Sequence, residues 1–354
     1  MTQPKVRVLV VDDSVVVRLL VAQSLHADPA LELAGVANNG VHALAKIDEL
    51  KPDVVVLDVE MPEMDGLTAL KAIRAKHRKL PVVMFSTLTS RGASATVDAL
   101  TFGASDYVTK PSTSNRDESL QVLREELLPR LVALGSRGHE RVPPPRPLPR
   151  SHATGPVEAV LVGVSTGGPN ALVTLLEGLP ADLAVPVLVV QHMPPVFTQM
   201  LAQRLDKISG LDVREAVAGE LLRPGQVRVA PGGLHLTVVR APEGVMTATN
   251  EDPPVNSCRP AVDVLFNSAA RVYGPGALAV VMTGMGQDGL VGSRAVKAAG
   301  GHVVAQDAET SVVWGMPRFV AEEGLAEAVL PLELLAGEIT RRVSASSRAQ
   351  IVAR

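Results

Sequence analysis

The chain has 354 residues, enough for two or three domains at about 100–200 residues each. Hydrophobic residues make up 46% and charged residues 20%, which excludes global disorder, while 2% aromatics exclude a base-stacking platform. A net charge of −3 excludes bulk attraction to nucleic acid.

With so few aromatics the cores must be aliphatic, a composition suited to buried parallel strands covered by helices. The single cysteine, Cys258, cannot close an intrachain disulfide, which fits a reducing compartment. The N-terminus lacks the apolar stretch of a signal peptide, and no apolar run approaches the ~20 residues of a membrane span. A cytoplasmic protein without membrane insertion or nucleic-acid partner is expected.

Strand and helix patterns alternate through the first half of the chain. Strands are predicted over Val6–Val11, Glu32–Ala37, Val54–Leu57, Val82–Phe85 and Ser105–Val108. Helical patterns cover Val15–Ala27, Val41–Leu50, Leu67–His77, Ala93–Phe102 and Glu118–Leu134. Such repetition implies a doubly wound parallel sheet. The composition then shifts: Gly135–Pro156 carries six prolines and four arginines without apolar periodicity, and reads as a spacer. Alternation resumes with strands over Val157–Gly163, Val185–Val190, Val227–Ala230, Leu234–Val239, Val245–Ala248, Leu278–Met282 and His302–Ala305. Helices are predicted over Asn170–Leu179, Phe197–Leu205, Ala261–Arg271, Leu290–Ala299 and Pro331–Arg342, with an antiparallel insert near 227–248.

Ligands of open α/β sheets collect beyond the carboxyl ends of the strands. In the first half those ends carry Asp12-Asp13, Asp58, Ser86-Thr87 and Lys110-Pro111. Three clustered carboxylates repel one another, and a hard divalent cation such as Mg²⁺ removes the conflict. Asp12 and Asp13 could instead merely cap the helix that starts near Ser14; five such positions on one rim argue against that reading.

The segments VLVVDDS, LDVEMPEMDG, VMFST and SDYVTKP resemble the receiver domain of bacterial response regulators. The resemblance implies a flavodoxin-like fold in which Asp58 accepts a phosphoryl group from a histidine kinase. It implies Mg²⁺ held with Asp12, Asp13, Asp58 and the Glu60 carbonyl, phosphoryl contacts from Ser86 and Lys110, and Tyr107 as switch aromatic. A cis Lys110–Pro111 peptide is also compatible with it.

In the second half, the strand ending at Gly163 runs into Val164-Ser165-Thr166-Gly167-Gly168-Pro169 and a helix. Two uses compete: a phosphate cradle at the helix N-terminus, or a nucleophilic Ser165 on a sharp turn. A nucleophilic serine needs a histidine. His192 follows a strand on the same rim, whereas His302 opens a strand at the opposite rim and His235 lies near a strand start. The histidine needs an acid, and Asp288 follows the strand Leu278–Met282 on that rim. Asp288 could otherwise be a helix cap; Asp252, in a Pro-rich loop, and Asp263, within a helix, are rivals. The order serine, histidine, aspartate differs from that of α/β-hydrolases.

GVSTGGPNAL, VVQHMPPVFTQMLAQRLD, PVNSCRPAVDVLF, TGMGQDG and AQDAETSVVWGMP resemble the catalytic domain of the CheB family of chemotaxis protein-glutamate methylesterases. The family architecture then implies a receiver over 1–125, a Pro-rich linker over 126–156 and a Rossmann-like methylesterase domain over 157–345. Cys258 stands where many relatives have histidine, a packing or substrate-rim variation rather than a second nucleophile.

The resemblance implies that Ser165, His192 and Asp288 hydrolyse glutamate methyl esters on the cytoplasmic domains of chemoreceptors, releasing methanol, with glutamine deamidation as the parallel reaction. Main-chain N–H groups near Thr166 and Met285 would hold the oxyanion, and no cofactor is expected at this site. The unphosphorylated receiver would block the catalytic face. Two alternatives are a response regulator whose output domain binds a partner without hydrolysis, and a nucleotide-binding enzyme resting on the GVSTGG turn alone.

Overall fold

The structure is a computed structural model that describes residues 4–87, 89–113, 115–136 and 156–352. They form two compact units, one on each side of the segment 137–155. Most of the predicted Pro-rich spacer therefore lies outside the described residues.

The first unit has strands β1 (Val6–Val11), β2 (Leu31–Ala37), β3 (Val54–Asp58), β4 (Val82–Ser86) and β5 (Asp106–Thr109) in one parallel sheet, ordered β2-β1-β3-β4-β5. Helices α1 (Val15–His26), α2 (Gly40–Leu50), α3 (Gly66–Lys76) and α4 (Ser90–Thr101) connect them, as the alternation predicts. The central strands are buried along their lengths, which is why they read as continuous apolar runs rather than alternating ones.

A domain end at residue 125 is corrected. Helix α5 (Arg116–Val122) passes through a π-helical turn, Leu123–Leu127, into α6 (Leu128–Gly135). Leu127, Leu128, Leu131 and Leu134 are buried. Gly135 lies so close to β1 that a Cβ there would stand 2.1 Å from Val6 Cγ1. Residues 126–135 thus belong to the first unit. Pro129 opens α6, and its missing N–H explains why the regular ladder gives way just before it.

The second unit has a seven-stranded parallel sheet: β6 (Ala159–Val164), β7 (Val187–Gln191), β8 (Asp212–Glu215), β9 (Gln226–Val229), β12 (Ala277–Val281), β13 (His302–Gln306) and β14 (Ala328–Leu330). Its order is β14-β13-β12-β6-β7-β9-β8. Strands β10 (His235–Ala241) and β11 (Gly244–Asn250) form a separate antiparallel ribbon. The insert predicted near 227–248 is therefore corrected at its start. Val227 and Val229 are buried, and β9 pairs parallel with β7 and β8 inside the main sheet. A short apolar run does not disclose the direction of its partner.

Helices α7 (Gly168–Glu177), α8 (Phe197–Ile208), α9 (Val262–Tyr273), α10 (Leu290–Ala298), α11 (Met316–Glu322) and α12 (Leu332–Val352) complete the unit. The elements missed by sequence are β8, β14 and α11. Strand β8 is Asp-Val-Arg-Glu at the sheet edge, too polar to carry a strand signal; β14 and α11 are short. The chain leaves β6 toward β7 and later returns to place β12 on the opposite flank of β6. The crevice at the carboxyl ends of β6 and β12 is thus the topological switch point.

Candidate active site

The switch point gathers the three predicted residues. Val164 pairs with Gln191, so Ser165 and His192 each stand one residue past a matched pair on neighbouring strands. The His192 N–H donates to Val164 O at 3.3 Å. Asp288 comes from the loop after β12, and its Oδ2 lies 2.8 Å from His192 Nε2. All three residues are buried or nearly so. Among the described residues no hydrogen bond joins the Ser165 hydroxyl to His192. Nε2 is committed to Asp288, which leaves Nδ1 as the ring's basic nitrogen.

Two glycines permit this convergence. Gly167 opens α7 at φ +78, and a Cβ there would also strike Val312 at 2.3 Å. At Gly284 a Cβ would stand 2.8 Å from the Ser165 Cβ, so the β12 loop can press on the serine only without a side chain. The Ser165 N–H donates to Thr283 O, and the Thr283 hydroxyl to Thr166 O at 2.9 Å. The main-chain N–H of Met285, on the same loop, makes no hydrogen bond among the described residues.

Asp288 does not cap its own following helix; Gly289 occupies that position. Its carboxylate instead accepts from Val262 N (2.7 Å) and Asp263 N (3.0 Å) at the start of α9, and from Gly289 N (3.0 Å). Asp263 reciprocates, accepting from Gly289 N (3.0 Å) and Gly292 N (2.7 Å) at the start of α10. Burial pushes Asp288 up, but the bonds from His192 and the main chain outweigh it and hold the carboxyl below its ordinary range. Burial likewise pulls His192 down; the Asp288 bond and the Cys258 sulfur, as an acceptor beside the ring, reverse this and raise the imidazole.

The rivals separate cleanly. His302 pairs with Leu278 near the amino end of β12, on the far rim, and bonds Glu327. His235 is buried, accepting from Ala261 N and facing Pro253 O. Asp252 contributes its main-chain O to Arg259. Asp263 stands beside Asp288, where its place within a helix had hidden it. Asn256, inside the segment PVNSCRP, was also passed over; its amide reaches both carboxylates.

In the first unit, Asp12, Asp13 and Asp58 each offer an oxygen within 4.8 Å of the others. Lys110 Nζ bridges Asp12 Oδ2 and Asp58 Oδ2, at 2.8 Å each. Burial lifts the Asp58 pKa to about 6, with Asp12 adding repulsion and Lys110 opposing it. Asp58 Oδ1 accepts from Glu60 N at 3.3 Å. The Lys110 N–H donates to Ser86 O at the end of β4, and Tyr107 is buried in β5. Ser14, rather than either aspartate, caps α1, while Asp12 Oδ1 accepts from Ser14 N. The cis proline bond among the described residues is Arg259–Pro260, so Lys110–Pro111 is trans.

A CheB methylesterase family profile matches residues 160–339, and a response regulator receiver domain profile matches residues 8–121. A protein-glutamate methylesterase/protein-glutamine glutaminase of a Nocardioides species is 51% identical, over 96% of each chain. One of the same name from Trichodesmium erythraeum is 47% identical, over 96% of this chain and 99% of its own. The crystal structure of the Thermotoga maritima CheB methylesterase catalytic domain matches at 44% identity with a TM-score of 0.52, covering 52% of this chain and 98% of that one. No helix among the described residues is long and apolar enough to cross a membrane. The chain belongs to the CheB methylesterase family, with a response regulator receiver domain ahead of the catalytic one.

Proposed function

We propose that this chain is a phosphorylation-regulated protein-glutamate methylesterase and protein-glutamine glutaminase acting on the cytoplasmic domains of chemoreceptors. The observation that supports the reading is the His192–Asp288 bond at the carboxyl ends of adjoining strands, with Ser165 following β6, His192 following β7 and Asp288 in the loop after β12, in a chain so similar to proteins of that name. The Ser165 hydroxyl attacks the ester carbonyl while His192 Nδ1 takes its proton. Asp288 fixes the tautomer by accepting from Nε2–H and stabilises the imidazolium. The N–H of Met285, with the turn at Thr166, faces the developing oxyanion. His192 returns the proton to the departing methoxide, and water releases glutamate from the acyl-enzyme. A glutamine side chain would follow the same course and release ammonia.

At the receiver rim three carboxylates face the Lys110 ammonium, with the Arg18 guanidinium on the Asp12 and Asp13 carbonyls. Hard oxygen donors in that balance fit Mg²⁺. Asp12, Asp13, Asp58 and the Glu60 carbonyl would hold it, and it would supply charge neutralisation for phosphoryl transfer from a histidine kinase. Asp58 is the acceptor; Lys110 and Ser86 bind the phosphoryl oxygens, and buried Tyr107 responds to the change. A partner-binding output without hydrolysis gains nothing from a buried imidazole–carboxylate pair beside a serine. The deciding test measures methanol released from methylated receptor membranes, with and without a small phosphodonor. Release that the phosphodonor stimulates is expected. No release in either condition would leave the non-hydrolytic reading.

A further inference from the structure

The loop between β11 and α9 carries an amide that, among the described residues, makes no hydrogen bond to the serine or the imidazole yet is bonded to the acid behind them. Asn256 Nδ2 lies 3.1 Å from Asp288 Oδ1 and 3.0 Å from Asp263 Oδ2. An amide nitrogen has two protons, and this geometry gives one to each carboxylate. Asp288 Oδ1 thereby accepts three N–H donors, from Asn256, Asp263 and Gly289, while Oδ2 accepts from Val262 and His192. Asp263 Oδ1 is occupied by Gly289 and Gly292, and its Oδ2 by Asn256.

Resting on the Ser165–His192–Asp288 reading, we infer that Asn256 is a positioning residue: its amide bridges the Asp288 and Asp263 carboxylates and so holds Asp288 in line with His192. Two buried carboxylates this close repel, and burial together with the Asp288 charge pushes Asp263 up. A neutral two-proton donor between them relieves the repulsion without a cation. It also prevents the pair from relaxing by rotation of Asp288 away from the imidazole.

The loop is built to deliver that amide. Asn256 and Ser257 are left-handed, at φ +52 and +61, and Val255 and Cys258 exchange N–H···O bonds of 3.1 and 2.9 Å across them. Asparagine tolerates this region better than most residues. The Arg259 guanidinium clamps the loop's beginning through Glu251 O (2.8 Å) and Asp252 O (3.2 Å). His235 pins both ends: Nδ1 accepts from Ala261 N and Nε2 faces Pro253 O, 3.2 Å each.

Two substitutions separate the amide's role from its backbone conformation. Glycine and aspartate both adopt left-handed conformations, so Asn256→Gly and Asn256→Asp keep the turn while removing or inverting the donor. In the full-length protein, kcat for methanol release should fall about tenfold in Asn256→Gly and about a hundredfold in Asn256→Asp, with KM unchanged in both. The exchanged pair Asn256→Asp/Asp263→Asn moves the amide to a position that faces residue 256 alone and leaves a carboxylate opposite Asp288 Oδ1, so its kcat should stay below the Asn256→Gly level. Wild-type kcat in either single variant overturns the inference. So does a parallel change in KM, recovery of the exchanged pair to the wild-type rate, or failure of Asn256→Gly to fold, since the amide would then serve the loop alone. Ser165→Ala is run alongside. If it still hydrolyses, the esterase reading falls; if it is inactive while the Asn256 variants match wild type, only the positioning role falls.

Discussion

Asp58 and Asp288 occupy the same kind of place in two different sheets. Each lies at or just beyond the carboxyl end of a parallel strand, and each is 2% exposed. Their electrostatics nevertheless run in opposite directions. Asp58 has Lys110 and one longer main-chain donor, set against a neighbouring Asp12, and burial leaves its pKa raised to about 6. Asp288 meets five N–H donors, and its pKa is held low despite similar burial. A carboxylate saturated with donors remains an anion without a cation and suits an unchanging partner for an imidazole. A carboxylate short of donors in acidic company invites a cation and a reactive phosphorus. The parallel sheet supplies the rim in both units; the count of donors decides the chemistry.

The largest effect that could break this comparison is at the serine. Ser165→Ala should lower methanol release by up to ~10⁶-fold if the three residues act as a unit. Near-normal turnover would remove Ser165 from the mechanism. Asp288→Asn should cost about 10⁴-fold in kcat, because an amide cannot hold the His192 tautomer. That amide would also direct its NH₂ into a shell made only of donors. The Asp288→Asn variant should therefore unfold at lower temperature as well as turn over more slowly, and unaltered stability would refute the donor count.

At the opposite pole, Asp58→Asn should abolish stimulation by a phosphodonor while basal hydrolysis persists. The same variant tests the electrostatics. A carboxyl raised from 3.8 to about 6 favours folding below pH 3.8 and loses that contribution as pH rises through 6. Without Mg²⁺, hydrogen exchange at the β3 amides should report a first unit that weakens between pH 4 and 7, by up to about 3 kcal/mol. Asp58→Asn should flatten that slope, and Mg²⁺ should flatten it in the wild type. A slope indifferent to both would show that Asp58 is not under this strain.

These two sites were unequally legible in the sequence. Strand ends are readable because buried parallel strands are unbroken apolar runs, so Asp12, Asp58, Ser165 and His192 could be placed on their rims from spacing alone. Asp288 was placed too, although its most local role, capping the next helix, proved to be exchanged with Asp263. That exchange is invisible in sequence because each carboxylate caps a helix some 25 residues away in the chain. Asn256 was hidden for a related reason: its turn carries no periodicity, and its two partners are brought to it only by the packing of α9 against α10. The failure at β9 has the same root, since parallel or antiparallel pairing is decided by distant segments.

The smallest expected effect lies beside the imidazole. The Cys258 sulfur lies beside His192 and, by accepting a ring N–H, contributes to raising it, after the Asp288 bond. His192 must be neutral to take the serine proton, so the acid limb of kcat/KM follows its pKa. Cys258→Ala removes one of the contributions that raise the ring and leaves burial, which lowers it, in place. The imidazole should lose its proton at lower pH, and the acid limb should move downward. Below the limb the variant should outpace the wild type; above it the two rates should coincide, because the thiol takes no part in bond making. A pH profile of methanol release distinguishes the outcomes. A limb that stays in place would detach Cys258 from the imidazole, and a fallen plateau would give the thiol a direct part in the reaction.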